Sequence, residues 1–264
     1  MRATSLAFFC LLGCGSRTAT APPAPSATGL VVSTLAGTPA ADPTNAAWDH
    51  AKPFTAKLVP QDVTEPRLRE TTVPEAEVRA VSDGKTLAVR VSWPDATRDD
   101  ELALQRFPDA CAVQLPGIPG PDVPDSQMGQ PGRPVHITLW KAHWQATADG
   151  RPHTVQRLFP NALIDYYPHG DHVAAAASGN PMASPAGASQ DLEAEGFGSL
   201  RRAPVQASVA HGVHENGRWT VVLTRPLAQP LTKTYLAIAV WDGGKGNNGA
   251  RKMRSEWVSV SVAP

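Results

Sequence analysis

Val78-Arg79-Ala80-Val81-Ser82-Asp83-Gly84-Lys85-Thr86-Leu87-Ala88-Val89-Arg90-Val91-Ser92-Trp93 is the stretch on which the fold turns. Asp83-Gly84 is a hairpin turn signal, because glycine accepts the positive φ that tight turns demand. After it Leu87, Val89, Val91 and Trp93 alternate with Ala88, Arg90 and Ser92, the period of a strand with one face in a core. Working outward, Val135, Ile137 and Leu139 alternate against His136, Thr138 and Trp140, and this run is predicted to continue through Trp144 as the longest strand. Further strands are predicted at 205–209, 219–223, 235–241 and 257–262, separated by loops containing Gly, Pro, Asn and Asp. The 26 prolines are spread along the chain and limit long helices. Helices of crossover length are not evident. The expected architecture is therefore mainly all-β: an antiparallel, immunoglobulin-like β-sandwich with long loops and one or two short helices, one of them at 190–195. Residues 170–198 are poor in large apolar side chains and read as a long surface excursion.

At 264 residues the chain is long enough to bury one large core. Its 24 basic and 24 acidic residues cancel, which gives nucleic-acid binding no electrostatic basis. Arg2, the short apolar stretch 6–12 and Leu11-Leu12-Gly13-Cys14 resemble a bacterial lipobox. That resemblance implies a signal peptide at 1–13, a lipidated Cys14, and a domain held on the periplasmic face of a bacterial membrane. An ordinary secretory signal, with Cys14 incidental, leads to the same compartment. A stretch rich in Ala, Pro, Ser and Thr runs to about Ala27, so 14–40 is assigned to the lipidated Cys and a flexible tether, and 41–264 to the domain. With Cys10 removed and Cys14 acylated, Cys111 is left without a disulfide partner. No Cys-x-x-Cys-His is present, which excludes covalent c-type haem attachment.

No catalytic constellation stands out: there is no Gly-x-Ser-x-Gly elbow, phosphate-binding Gly loop or His-Glu-x-x-His helix. The pairs His169/His172 and His211/His214 fall in a turn and at a strand end rather than on a helix face, and read as solvated loop histidines. Seven tryptophans on a β domain leave a sugar-binding platform open. Trp93, Trp219 and Trp257 sit at core positions of their strands, which leaves Trp140 and Trp144 as the candidates for stacking on a flat ligand.

A series of loop and strand motifs is more specific. It comprises Phe107-Pro108-Asp109-Ala110-Cys111-Ala112-Val113-Gln114-Leu115-Pro116, Gln127-Met128-Gly129, Leu139-Trp140-Lys141-Ala142, Ala194-Glu195-Gly196-Phe197-Gly198 and Ala239-Val240-Trp241-Asp242-Gly243, then Lys252 ahead of Ser255 and Trp257. In this order they resemble the haem b-binding gamma subunits of the type II dimethyl sulfoxide reductase group, the ethylbenzene dehydrogenase-related family, from about Asp42 to the C-terminus.

The resemblance implies a β-sandwich carrying one non-covalent haem b, with a Met and a Lys as axial ligands. The Met falls on Met128 and the Lys on Lys252, with Met182 and Met253 as lesser sulfur candidates. Thioether sulfur favours ferrous iron, and a Lys must lose its proton before it can coordinate. Lys141, on the strand face of Val135, Ile137 and Leu139, is the rival nitrogen ligand; a haem-propionate partner or an internal ion pair explains it equally well. Implied partners are a molybdenum-containing catalytic subunit and an iron–sulfur subunit, or a periplasmic cytochrome. The expected role is electron transfer without substrate chemistry. A carbohydrate-binding or adhesion lipoprotein without a redox cofactor is the alternative, and a periplasmic metal or haem sensor is a third reading.

Overall fold

The computed structural model describes residues 29–263 apart from 119, 121, 153, 162–186 and 232. Along them run β1 (Leu30–Thr34), β2 (Phe54–Lys57), β3 (Val59–Pro60), β4 (Glu75–Ser82), β5 (Thr86–Pro94), β6 (Ala110–Pro116) and β7 (Val135–Lys141). Two short helices follow, α1 (Ala142–Ala148) and α2 (Val155–Leu158). The second half adds β8 (Ser189–Ala194), β9 (Arg201–Arg202), β10 (Val209–Glu215), β11 (Arg218–Pro226), β12 (Lys233–Trp241), β13 (Met253–Arg254) and β14 (Val258–Val262).

The hairpin read from 78–93 is β4 and β5, with Val78 opposite Val91 and Ala80 opposite Val89. Its turn is set by Gly84 at φ 85° and by the Asp83 carboxylate, which accepts from the backbone N–H groups of Lys85 and Thr86 at 2.9 and 2.7 Å. The strands form one continuous sheet in the order β10-β11-β5-β4-β1-β14-β12-β6-β7-β8-β9. Six strands separate β11 from β7 in that order, yet Trp219 on β11 and Trp140 on β7 meet edge to face with ring centroids 4.9 Å apart. The sheet therefore folds over on itself, and its halves face each other as a sandwich.

Val89, Val91, Trp93 and Val221 from one half are buried in the same core as Cys111, Val113, Trp140 and Ile238 from the other. Each such side chain contributes roughly 1.5–3 kcal/mol by leaving water. Gly212 on β10 makes the central approach possible, since a Cβ there would lie 2.7 Å from the Trp140 ring.

The strand expected to run on through Trp144 stops at Lys141, and residues 142–148 are α1 instead. Ala142 N–H donates to the Asp109 carbonyl at 2.9 Å, which turns the chain, and Trp144 is buried against the body of the domain. Residues 190–195, expected as a helix, belong to β8, with Leu192 opposite Ile137 on β7; strand pairing outweighs the local propensity there. The strand expected at 205–209 begins only at Val209, and Val205 is 71% exposed. The tether assigned to 14–40 contains β1, whose Leu30 and Val32 are wholly buried, so the folded domain includes Leu30. β1 lies parallel to both β4 and β14, which makes the sheet mixed rather than purely antiparallel. The segment 1–28 with Cys14 lies outside the described residues, as do His169, His172 and Met182.

Candidate cofactor site

On the side of β12, β6, β7 and β8 that faces away from the sandwich core lies a cavity of about 560 Å³. Strand register lays out its floor. Ala237, Gln114, Ile137 and Leu192 make one cross-strand row; Ala239, Ala112 and Leu139 make the next; Trp241, Ala110 and Lys141 make the third. Alanine at alternate positions of β12 and β6 leaves a shallow trough, walled on the β7 and β8 side by Ile137, Leu139 and Leu192. An apolar slot of this size lies within the roughly 300–1,000 Å³ typical of cofactor sites.

Met128 enters the cavity from the loop between β6 and β7. It holds φ 76°, followed by Gly129 at φ 77°. A side chain at Gly129 would press within 2.8 Å of the Arg133 carbonyl, so only glycine fits directly after this methionine. The turn is pinned on several sides. Gly129 N–H donates to the Asp125 carbonyl at 2.9 Å, and Gly196 N–H donates to the Met128 carbonyl at 2.8 Å. Gln114 Nε2, from the floor, donates to the Ser126 carbonyl at 2.9 Å, and Ser126 Oγ donates to Glu256 at 2.7 Å. A left-handed conformation at a non-glycine residue costs about 1 kcal/mol or more, and is kept only where its surroundings enforce it.

Lys252 enters from the Gly-rich segment 243–249 and the residues after it. Asp242 caps the first turn through Lys245 N–H at 3.0 Å, and Trp241 Nε1 donates to the Gly249 carbonyl at 3.0 Å. Gln61 N–H donates to the Lys252 carbonyl at 2.9 Å, and Gln61 Nε2 to the Ala250 carbonyl at 3.1 Å. The root of this segment is tied to a buried carboxylate. Asp109 accepts from Gly243 N–H at 2.8 Å, Asp99 N–H at 2.7 Å and Trp219 Nε1 at 2.8 Å. Burial first, and then the nearby Asp95, push Asp109 up to about 8. Asp95, Asp109 and Asp242 form a buried carboxylate cluster.

These two loops bring Lys252 Nζ to 4.0 Å from Met128 Sδ. Zinc bonds to nitrogen and sulfur run to roughly 2.0–2.3 Å each, and on that scale the two atoms lie close enough for one metal ion to be held by both. Lys252 Nζ also stands over the Trp241 ring, 5.3 Å from its centroid. No carboxylate among the described residues pairs with it. Burial, and secondarily the Arg254 guanidinium, bring its pKa down to about 8, which eases the loss of the proton that a nitrogen ligand must shed.

The other sequence candidates separate cleanly. Lys141 lines the same cavity, on the third row of the floor. Trp140 does not: it is wholly buried on the opposite face of β7, with Nε1 donating to Gln145 Oε1 at 2.8 Å. Its assignment to the cofactor fails because successive strand residues point to opposite faces, and Trp140 neighbours Leu139 and Lys141, which face the cavity. Met253 likewise points into the sandwich core. His211 and His214 sit within β10 rather than in a loop, and residues three apart on a strand face opposite ways. His214 contacts the Asp95 carbonyl through Nε2 at 2.9 Å and the Trp219 ring edge-on. Cys111 is buried in the core, with its thiol pKa pushed up by desolvation. The alanine floor carries its own sequence signal, since Ala110/Ala112 and Ala237/Ala239 recur at the strand period.

Residues 45–172 match the ethylbenzene dehydrogenase family model. Over 244 residues the chain is 25% identical to a candidate respiratory nitrate reductase heme subunit, ORF7, of Haloferax mediterranei, covering 89% of this chain and 72% of that protein. It is 24% identical over 243 residues to the dimethylsulfide dehydrogenase subunit gamma of Rhodovulum sulfidophilum, covering 84% of this chain and 76% of that one. Among solved structures it is similar to a family 9 carbohydrate binding module of Caldicellulosiruptor kristjanssonii in complex with cellotriose, with TM-score 0.42, 9% identity, and coverage of 88% of this chain and 92% of that chain. The same module in complex with glucose gives TM-score 0.39, 7% identity and coverage of 88% and 95%.

Proposed function

With residues 45–172 matching the ethylbenzene dehydrogenase family and the chain as a whole similar to haem and gamma subunits, we propose that this protein is the haem-carrying electron-transfer subunit of an oxidoreductase complex and performs no substrate chemistry of its own. The observation that carries the reading is the 4.0 Å approach of Met128 Sδ to Lys252 Nζ at an apolar cavity. The bound group is proposed to be one haem b, held non-covalently, which would supply one-electron exchange between ferric and ferrous iron.

Each part of the site has a task in that role. Met128 offers a soft thioether that favours the ferrous state. Lys252, its proton loosened by burial, would offer its amine nitrogen once that proton is lost. The alanine rows and their aliphatic walls exclude water from the flat face of the ligand. The pinned loops around Gly129 and Gly249 hold both donors in place, so little reorganisation accompanies a change of charge.

A sugar platform has less support. Six of the seven tryptophans are buried, and only Trp241 lines the cavity. Stacking on a pyranose needs exposed aromatic faces. The proposed partners are a molybdenum-containing catalytic subunit and an iron–sulfur subunit, or a periplasmic cytochrome. The proposed location is the periplasmic face of a bacterial membrane, with Cys14 carrying the lipid. The lipobox-like Leu11-Leu12-Gly13-Cys14 supports this, and no helix of the described residues is long and apolar enough to cross a membrane.

The test is to purify the protein from haem-replete cells and cycle it between dithionite and ferricyanide. A Soret band with reversible visible bands is expected. Folded protein that stays colourless in the presence of excess haem contradicts the proposal.

A further inference from the structure

We infer that Lys141 and Asn247 form an anion-binding rim at one end of the cavity, which takes the propionate carboxylates of the tetrapyrrole. The inference rests on the haem reading above and assigns the acidic edge of that ligand to particular side chains.

Three cationic side chains among the described residues line the cavity: Lys141, Lys252 and Arg254. Arg254 is neutralised by Glu256, with Nη1 2.5 Å from its carboxylate. Lys252 faces Met128. Lys141 keeps its charge to spare. No carboxylate among the described residues lies within ion-pair distance of its Nζ, and the contact it makes is with the Trp144 ring, 4.9 Å to the centroid. The internal ion pair that the sequence left open is therefore absent among these residues. A half-buried cation facing an apolar cavity without an anion is costly, and desolvation accordingly lowers the Lys141 pKa. A ligand that is flat and apolar over most of its area, with carboxylates on one edge, relieves that cost.

Asn247 supplies the second donor at the same end. It is 1% exposed, and its Oδ1 accepts from Thr72 Oγ1 at 2.9 Å and from Asp242 N–H at 3.3 Å. The backbone N–H of Asp242 can only donate, so the amide is oriented with oxygen toward it and Nδ2 away. That Nδ2 is buried and has no protein partner, although Asn247 lines the cavity. Lys141, Ala110 and Trp241 occupy one cross-strand row, and Asn247 lies on the loop that leaves Trp241. Two strand spacings separate Lys141 from Trp241, roughly 10 Å, a width on the scale of a planar tetrapyrrole. The sheet thus ends in a free cation on one side and a free amide donor on the other.

Haem-free protein titrated with iron protoporphyrin IX and with its dimethyl ester tests this. The wild type is expected to bind the free acid tenfold or more tightly than the ester, the scale of a buried charge-assisted hydrogen bond. Lys141→Gln should remove most of that preference while leaving the Soret position of the complex unchanged, because the axial ligands are untouched. Lys141→Arg should restore it. Equal affinity of the wild type for acid and ester overturns the inference without recourse to any variant, as does a Lys141→Gln protein that keeps the full preference. Failure of the wild type to bind either porphyrin sinks the haem reading itself, and this inference with it.

Discussion

Met128 and Lys252, 124 residues apart in the chain, present a thioether sulfur and an amine nitrogen to each other at 4.0 Å. Neither sits on a strand that the core would position by default: each is placed by a loop held with side-chain and backbone hydrogen bonds and glycine turns. The arrangement is thus specified by the loops, at a cost in backbone strain, rather than inherited from the sandwich.

That strain gives opposite expectations for neighbouring residues. Met128 has φ 76° and Gly129 φ 77°. Met128→Gly removes the left-handed penalty of about 1 kcal/mol or more and should leave the haem-free protein within about 1 kcal/mol of wild-type stability, while abolishing six-coordinate haem. Gly129→Ala should cost about 2 kcal/mol or more, since the added methyl meets backbone as well as an unfavourable φ. Urea unfolding of the two haem-free variants checks the contrast, and equal destabilisation would count against it.

Stability of the haem-free protein should pass through a minimum near pH 8. Lys252 holds its proton only to about 8 in the fold against 10.5 in the unfolded chain, so between those values the unfolded state binds more protons and stability rises with pH. The full gain is up to about 3 kcal/mol. Asp109 works in reverse: it keeps its proton to about 8 when folded but loses it near 3.8 when unfolded, so stability falls as pH climbs from about 4 to 8. Urea midpoints across pH 4–10.5 should show both limbs, and Lys252→Leu should flatten only the upper one. An upper limb that survives this substitution assigns the titration elsewhere.

Filling the trough should separate folding from binding. Ala239→Leu places a larger side chain in the middle row of the floor, where open cavity rather than core receives it. Haem affinity is expected to fall tenfold or more, with thermal stability of the haem-free protein unchanged or raised by up to about 1–2 kcal/mol. Unchanged affinity would place the macrocycle somewhere other than over the alanines.

How much of this was legible in the sequence depended on period and on pairing. Period two gave the 78–93 hairpin, and the face shared by Ile137, Leu139 and Lys141 is the face that lines the cavity. The same rule sets Trp140 on the face opposite Lys141, so the two cannot both line one cavity, and the structure puts Trp140 in the sandwich core. Helix α1 was not legible, because Ala142 to Ala146 serves a strand or a helix equally until the Asp109 carbonyl is seen to receive Ala142 N–H. β8 and the parallel strand β1 are settled by neighbours more than 40 residues away, β7 for one and β4 and β14 for the other, and local propensity carries no trace of them. Met128 and Lys252 were legible through ordered motifs and a family likeness, but their approach across the cavity was visible only in three dimensions.

The proposed anchor is open to a direct check in cells. Cys14→Ser should abolish incorporation of labelled palmitate and release the protein from membranes into the soluble periplasmic fraction. Retention on the membrane with no label in the wild type would show that something other than a lipid on Cys14 holds it there.

The central assignment is tested most directly by the ferric absorption and electron paramagnetic resonance spectra of haem-reconstituted protein, wild type beside Met128→Ala and Lys252→Ala. Six-coordinate, low-spin iron is predicted for the wild type, and either single substitution should convert it to a high-spin form. A low-spin spectrum that is identical in all three proteins would contradict ligation by this sulfur and this amine.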